Sequence, residues 1–308
     1  MSGKFSFRAA LCVIALLGSS VIGVGTPTAS AAFFTTVASD SFEGGSLGSL
    51  NGQTTGSGFS GGYVAGSGAN VIVGSLTTGS PSGTINGGTR LLQVTAANNL
   101  TLATRNLTTP ITGSVIVGFQ FQFHSGPLAD NNFLSIFLES SSTTGDHGAG
   151  HLLAPNVGLK LNQGTGPASL PDFFARTARP PTPVGPAGNE KSVVNMTEGT
   201  SYYIQAEFDK IGINQQFYNR ATLTVYGSSG SVPLATITTP LSTSLASDVS
   251  TVSRIGIRTA NLAGDVLYVD SLSVQTPAVA VVPVPPALAL LASGVPFALV
   301  YLRRRKTA

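Results

Sequence analysis

The chain has no tryptophan and a single cysteine, Cys12, in 308 residues. One thiol excludes an internal disulfide and any cysteine-built metal cluster, so the fold must rest on its apolar core. Charge is scarce as well, at 9% of residues, and the cations gather at the two ends. Lys4, Arg8, Arg303, Arg304, Arg305 and Lys306 are six of the 16 Lys and Arg, leaving ten between them against all 13 acidic residues. The central region is therefore mildly acidic, and the basic isoelectric point belongs to the termini. A nucleic-acid partner would need clustered Lys and Arg, so none is expected. Long apolar runs are likewise confined to the ends, and the middle shows no amphipathic helical period.

The first end reads as a secretory signal, residues 1–31. Lys4 and Arg8 precede the apolar run Ala9 to Leu17, and Gly25 and Pro27 break any helix before the small residues Ala29, Ser30 and Ala31. This places cleavage ahead of Ala32. The other end has three parts across residues 282–308, after a spacer at 275–281. Val282, Pro283, Val284, Pro285 and Pro286 remove backbone donors and hold the chain extended. Ala287 to Leu302 is apolar and as a helix would rise about 24 Å, somewhat short of a hydrocarbon core of about 30 Å. The cluster Arg303, Arg304, Arg305 and Lys306 would then remain cytoplasmic, with the body outside.

This three-part order resembles the PEP-CTERM class of sorting tags, in particular the variant with a Val-Pro-Leu-Pro-Ala pattern. Val282, Pro283, Val284 and Pro285 carry the match. Val284 stands where the main class has Glu, and Pro286 precedes Ala287. The resemblance implies recognition by an exosortase-type membrane protease in a Gram-negative bacterium that makes exopolysaccharide. It also implies a transient inner-membrane anchor and delivery to the cell envelope, the outer surface or the extracellular matrix.

Residues 32–274 read as one all-β domain: a two-sheet antiparallel sandwich or jelly roll, flanked by an N-terminal signal helix and a C-terminal hydrophobic helix. Val117, Phe119, Phe121 and Phe123 alternate with Gly118, Gln120 and Gln122, so one face of a strand is aromatic and the other polar. Tyr202, Ile204, Ala206 and Phe208 alternate in the same way with Tyr203, Gln205, Glu207 and Asp209. Further strands are expected over Phe133 to Leu138, Val157 to Leu161, Ala221 to Tyr226, Val252 to Arg258 and Val266 to Val274. Asp146 to Glu198 has weaker periodicity and four close prolines, and reads as long surface loops around one or two strands.

Asp40, Ser41, Phe42, Glu43, then Leu50 to Gln53, then Gly56 to Tyr63 resemble the opening of laminin-G-like, concanavalin-A-like sandwiches. A galactose-binding-like jelly roll is the rival resemblance. In that family a structural calcium ion joins an opening Glu to an Asp of the last strand, which here implies Glu43 and Asp270. Asp270 shares strand parity with Val266, Tyr268, Leu272 and Val274, and so is expected among inward-facing residues, where a carboxylate must be paired or coordinated.

Other groups capable of chemistry are few. Glu207 and Asp209, two apart on a strand, share a face about 7 Å apart, a spacing compatible with an inverting glycosidase. Their face is the polar one, which argues for solvated carboxylates instead. Asp146, His147 and His151 could supply metal ligands from one glycine-flanked turn, but a zinc site needs three or four oriented ligands and no second shell is visible, so they read as exposed loop residues. His124 reads as a strand-end residue. Phe59, Tyr63 and Tyr203 are candidates for stacking on sugars. The resulting expectation is a non-enzymatic structural or binding protein with no cofactor other than calcium, in contact with extracellular polysaccharide. The alternative is a carbohydrate-binding module or a glycan hydrolase of the concanavalin-A-like class.

Overall fold

The computed structural model describes residues 34–278, except 66–70, 76–88, 96–100, 126–132, 141–153, 162–170, 178–189, 228–231, 242–248, 261–265 and the single positions 196, 198 and 240. All regular structure among the described residues is β, and the strands pair antiparallel throughout. The terminal segments, including the expected signal and tail helices, lie outside the described residues.

Two sheets form the domain. The first has nine strands. Its path runs β14 (Pro233–Thr238), β13 (Arg220–Gly227), β12 (Ser201–Asp209), β7 (Val115–Ser125), β16 (Val266–Pro277), β5 (Arg90–Thr95), β4 (Val71–Ser75) and β2 (Gly48–Ser49). The ninth, β1 (Phe34–Asp40), pairs with the distal half of β16. The second sheet has seven strands: β11 (Glu190–Asn195), β10 (Pro171–Arg176), β9 (Asn156–Leu161), β8 (Phe133–Glu139), β15 (Val252–Ala260), β6 (Thr101–Ile111) and β3 (Phe59–Ala65).

The period-two alternation places the core where the sequence reading expects it. Phe119 and Phe121 of β7 and Ile204, Ala206 and Phe208 of β12 are buried in one cluster with Leu134 and Ile136 of β8 and Ile255 and Ile257 of β15. Phe173 of β10 crosses the gap, with its ring 5.8 Å from Phe121 and 5.2 Å from Tyr202, both near edge-on. Each such side chain contributes about 1.5–3 kcal/mol on burial, so this seam accounts for much of the drive to close the sandwich. The side chain of Phe123 lies outside the described residues.

Two expectations need correction. Residues 146–198 supply three strands, β9, β10 and β11, which complete one end of the second sheet. Of these, β9 matches the strand expected over Val157 to Leu161, while the apolar runs of β10 and β11 are too short to announce themselves, and it is pairing of β10 with β9 and of β11 with β10 that makes them strands. The second correction concerns β16. The register slips between Asp270 and Ser273, where Ser271 adopts φ of 50°. This bulge reverses the facing of the chain, so Leu267 and Val269 point into the core before it and Leu272 and Val274 after it. Asp270 accordingly lies on the opposite face from the core, on the same side as Tyr268.

Candidate functional site

The Gly-rich opening builds a polar knot that joins the two sheets. Gly56 and Gly58 take positive φ, and a Cβ on either would strike the backbone of β1, so glycine allows the loop to lie main chain to main chain on that strand. Ser57 and Ser39 exchange backbone hydrogen bonds there at 2.8 and 3.0 Å. Asp40, at the end of β1, accepts from the Phe42 amide at 2.8 Å, Thr55 at 2.8 Å and Tyr63 at 3.1 Å. Arg105 reaches Asp40 from β6 of the other sheet at 3.0 Å, with both side chains at 2% exposure or less. Its guanidinium also donates to the Thr55 and Gly61 carbonyls and lies 4.5 Å from the Phe59 ring and 4.8 Å from the Tyr63 ring. Burial, followed by the charge of Asp40, holds the Tyr63 hydroxyl far above its usual range. Two of the three sugar-stacking candidates, Phe59 and Tyr63, are thus committed to a cation between the sheets.

Glu43 and Asp270 come near one another at the rim of this knot. Glu43 accepts from the Thr89 hydroxyl at 3.1 Å and the Arg90 amide at 3.0 Å, one on each oxygen. Asp270 accepts from the Ser271 amide at 2.6 Å. Burial pushes Asp270 up to about 7; the Ser271 amide opposes this, and the charges of Glu43 and Asp40 add to it. A calcium ion needs six or more oxygen ligands, and two carboxylates with three oxygens already accepting protein hydrogen bonds do not supply such a set. Among the described residues no group of three or more His, Cys, Asp or Glu converges on a point. Asp146, His147 and His151 lie outside the described residues, as does the side chain of His124. The processing residues Ala29, Ala31, Ala32, Val282, Pro283, Val284, Pro285, Arg303, Arg304 and Arg305 lie outside them too.

The outer face of the seven-stranded sheet holds polar groups that the sequence reading missed. Arg254 of β15 pairs with Glu139 of β8. Arg176 of β10 donates to Asn156 of β9 at 2.9 Å and lies 4.9 Å from the Phe174 ring. Phe137 lies across Gly256, where any Cβ would meet its ring. Glu139, Asn156, Arg176, Phe174 and Phe137 are buried, as is Arg258, while Arg254 is partly exposed. The signal was present as charges alternating with apolar residues, Arg254 and Arg258 against Ile255 and Ile257, but alternation alone reads as a solvated face.

The outer face of the nine-stranded sheet differs. Asp209 accepts from Arg220 at 2.7 and 3.1 Å and from Ser114 at 2.7 Å, and is buried, so one of the two carboxylates expected to be solvated is instead a structural clamp. Glu207 is half-buried, and its pKa is raised first by burial and then by the charge of Asp209. With Asp209 bound in this way, the pair is not a free acid and base set for hydrolysis.

Beside them, Tyr203 of β12 stands opposite Tyr226 of β13, both half-buried, with ring centroids 5.7 Å apart and a 41° tilt. Tyr203 leans over Gly118, which has no side chain to obstruct it, and beside it the Ser273 hydroxyl of β16 donates to the Gly118 carbonyl at 3.2 Å. Burial raises the Tyr203 pKa, so it remains a neutral phenol. Gln120, Gln205, Thr222 and Thr224 surround the pair, and Thr222 and Thr224 are tied to Thr238 and Thr236 of β14 at 3.1 and 3.3 Å.

No family model and no curated protein matches the chain. Solved structures do resemble it. A carbohydrate esterase of the Shiga toxin-encoding bacteriophage phi24B is 17% identical over 80% of this chain and 100% of that one, with a TM-score of 0.48. Lectin II from Ulex europaeus is 13% identical over 69% and 91%, with a TM-score of 0.44. The PL-14 alginate lyase from Aplysia kurodai is 8% identical over 68% and 87%, with a TM-score of 0.43. The expectation of a non-enzymatic body is withdrawn on this finding.

Proposed function

We propose that the mature chain is an exported glycan-binding sandwich that engages polysaccharide through the outer face of its nine-stranded sheet. The observation that carries this reading is the Tyr203–Tyr226 pair. Two partly exposed rings of fixed orientation lie among amide and hydroxyl side chains, with one carboxylate at the margin. Aromatic faces take up the apolar faces of pyranose rings while Gln, Thr and Ser exchange hydrogen bonds with sugar hydroxyls. Cations near this face are engaged, Arg220 by Asp209 and Lys210 by the Thr112 and Ser250 carbonyls at 2.7 and 2.6 Å. The face therefore suits a neutral, hydroxyl-rich chain.

Electrophoresis through gels containing hydroxyethyl cellulose, a soluble neutral glucan, tests the reading. The protein should be retarded, and the Tyr203→Ala, Tyr226→Ala double variant should bind at least about tenfold more weakly, since 1.4 kcal/mol is one decade and each ring contributes on that scale. Gly118→Ala should weaken binding with little effect on folding, because its methyl displaces the Tyr203 hydroxyl rather than any backbone. Equal retardation of all three proteins would refute the platform.

The export component rests on the termini. Cleavage before Ala32 and at the Val282 to Pro286 segment by an exosortase-type protease would release the sandwich to the cell surface or its matrix. Intact-mass measurement of protein from the producing cells should give a species lacking both ends. A surface species still carrying Arg303 to Lys306 would instead mean a permanent membrane anchor.

A further inference from the structure

The loop between β12 and β13, residues 210–219, is fastened at its base to both sheets. The Asn219 amide donates to the Asp209 carbonyl at 2.9 Å, and the Asn219 side chain accepts from the Ile211 amide at 2.8 Å and donates to the Ile211 carbonyl at 2.9 Å. Lys210 donates to the carbonyls of Thr112, just after β6, and Ser250, just before β15, at 2.7 and 2.6 Å. The Tyr218 hydroxyl donates to the Gly113 carbonyl at 2.9 Å. At the tip, Gly212 and Asn214 take positive φ, and the Gln215 side chain donates to the Phe217 carbonyl at 2.7 Å. What this frame holds out is apolar. Ile213 is 96% exposed, and Phe217 of the same loop is exposed as well. No Asp or Glu occurs from Lys210 to Ser247. A single surface Ile is ordinary, but two large apolar side chains on a fixed, carboxylate-free tip suit a contact.

The chain leaves the sandwich from this same end. β16 runs parallel to β12 with β7 between them, and Gln275 and Glu207 both stand opposite Ile116. β16 therefore ends at Pro277 level with the end of β12 at Asp209, two strand spacings away, or about 10 Å. Phe34, the first residue of β1, stands opposite Pro277 and is exposed too. In the sequence, only residues 279–286 separate Ala278 from the apolar run Ala287 to Leu302. Fully extended, that segment spans less than about 30 Å.

We infer that this end of the sandwich docks on a lipid bilayer, with Ile213 and Phe217 entering the boundary between headgroups and acyl chains. The inference rests on the anchored stage of the export reading, in which Ala287 to Leu302 lies in the membrane and the body outside it. A bilayer is then the one surface that chain connectivity brings within reach of this end. So short a tether keeps the loop at high effective concentration over the membrane, and two side chains suffice where they would not hold a free protein. The absence of carboxylates avoids repulsion from anionic headgroups, and a loop already fixed loses little freedom on docking. Tyr203 lies six residues back along β12 from Asp209, about 20 Å from the docked end, so the aromatic platform stays clear of the lipid.

The experiment uses the full chain in vesicles of phosphatidylethanolamine and phosphatidylglycerol. In a Cys12→Ser background an introduced cysteine is the only thiol. Ile213→Cys, Phe217→Cys, Leu234→Cys and Ser293→Cys each carry the same environment-sensitive fluorophore, and part of the lipid then bears a quencher on its acyl chain. Labels at 213 and 217 should shift to the blue and lose emission to the quencher, as the label at 293 does. Either loop position suffices if the other variant fails to fold. Leu234 is apolar and exposed but lies at the opposite end of the sheet, beside Tyr226, and its label should stay in water. Labels at 213 and 217 in water, with 293 in lipid, would overturn the docking and leave the anchor standing. A label at 293 in water would overturn the anchor and this inference with it. Equal quenching at 213 and 234 would mean unspecific adhesion, and a blue shift at 213 that the lipid quencher does not touch would mean that protein covers the tip; both overturn the inference.

Discussion

Arg105→Met is expected to destabilise the folded domain by about 3–5 kcal/mol, because removing one partner of a buried ion pair leaves the other charge without compensation. Asp40 would retain the Phe42 amide and the Thr55 and Tyr63 hydroxyls but lose its cation in a site closed to water. Tyr63 and Phe59 would lose the guanidinium lying between them. Domains of ordinary stability have about 5–15 kcal/mol in total, so the loss is a large fraction. Urea unfolding should show a lower midpoint with an unchanged slope. Adding Asp40→Asn to Arg105→Met should recover part of the loss, since it removes the stranded charge and the two sites are coupled. A loss below about 1 kcal/mol would mean that the pair does not hold the sheets together.

The second large effect is a pH dependence centred on Asp270. Its pKa in the folded protein is pushed up to about 7, chiefly by burial, with Glu43 and Asp40 adding to the rise. The folded state then holds a proton that the unfolded chain releases near the ordinary Asp value of about 3.9. Stability contributed by this group is fully present below about pH 4, declines as pH rises, and is gone above about pH 7. The slope from one such group is at most about 1.4 kcal/mol per pH unit. Asp270→Asn keeps an acceptor for the Ser271 amide and cannot ionise, so it should be more stable than the parent at pH 8 and should lose this slope. Melting temperatures from pH 4 to 8 measure both. Identical profiles for parent and variant would show that Asp270 does not control the rim.

The two predictions lie on opposite sides of what could be read in advance. Asp40, Phe59 and Tyr63 stand out as a motif, and the strands around Phe119 and Ile204 follow from alternation, because a period of two leaves one face no choice but the core. Arg105 gave no warning. It sits at a core-facing position of β6 between Ala103 and Leu107, where a cation is admitted only because Asp40 arrives from the other sheet, a contact spanning 65 residues. Asp270 was placed on the wrong face because parity counting assumes an unbroken strand, and the bulge at Ser271 has no glycine to announce it.

Composition and pattern alone determined an all-β body without disulfides and the inward faces of the long central strands. These are local quantities, set by side-chain alternation and by where charge is absent. Tertiary structure alone decided that β10 and β11 join β9 in the second sheet, that Asp209 is a clamp and Glu207 is not, and that Tyr203 finds its partner in Tyr226. Each of these depends on register between strands distant in sequence, and register comes from the joint packing of both sheets rather than from any one segment.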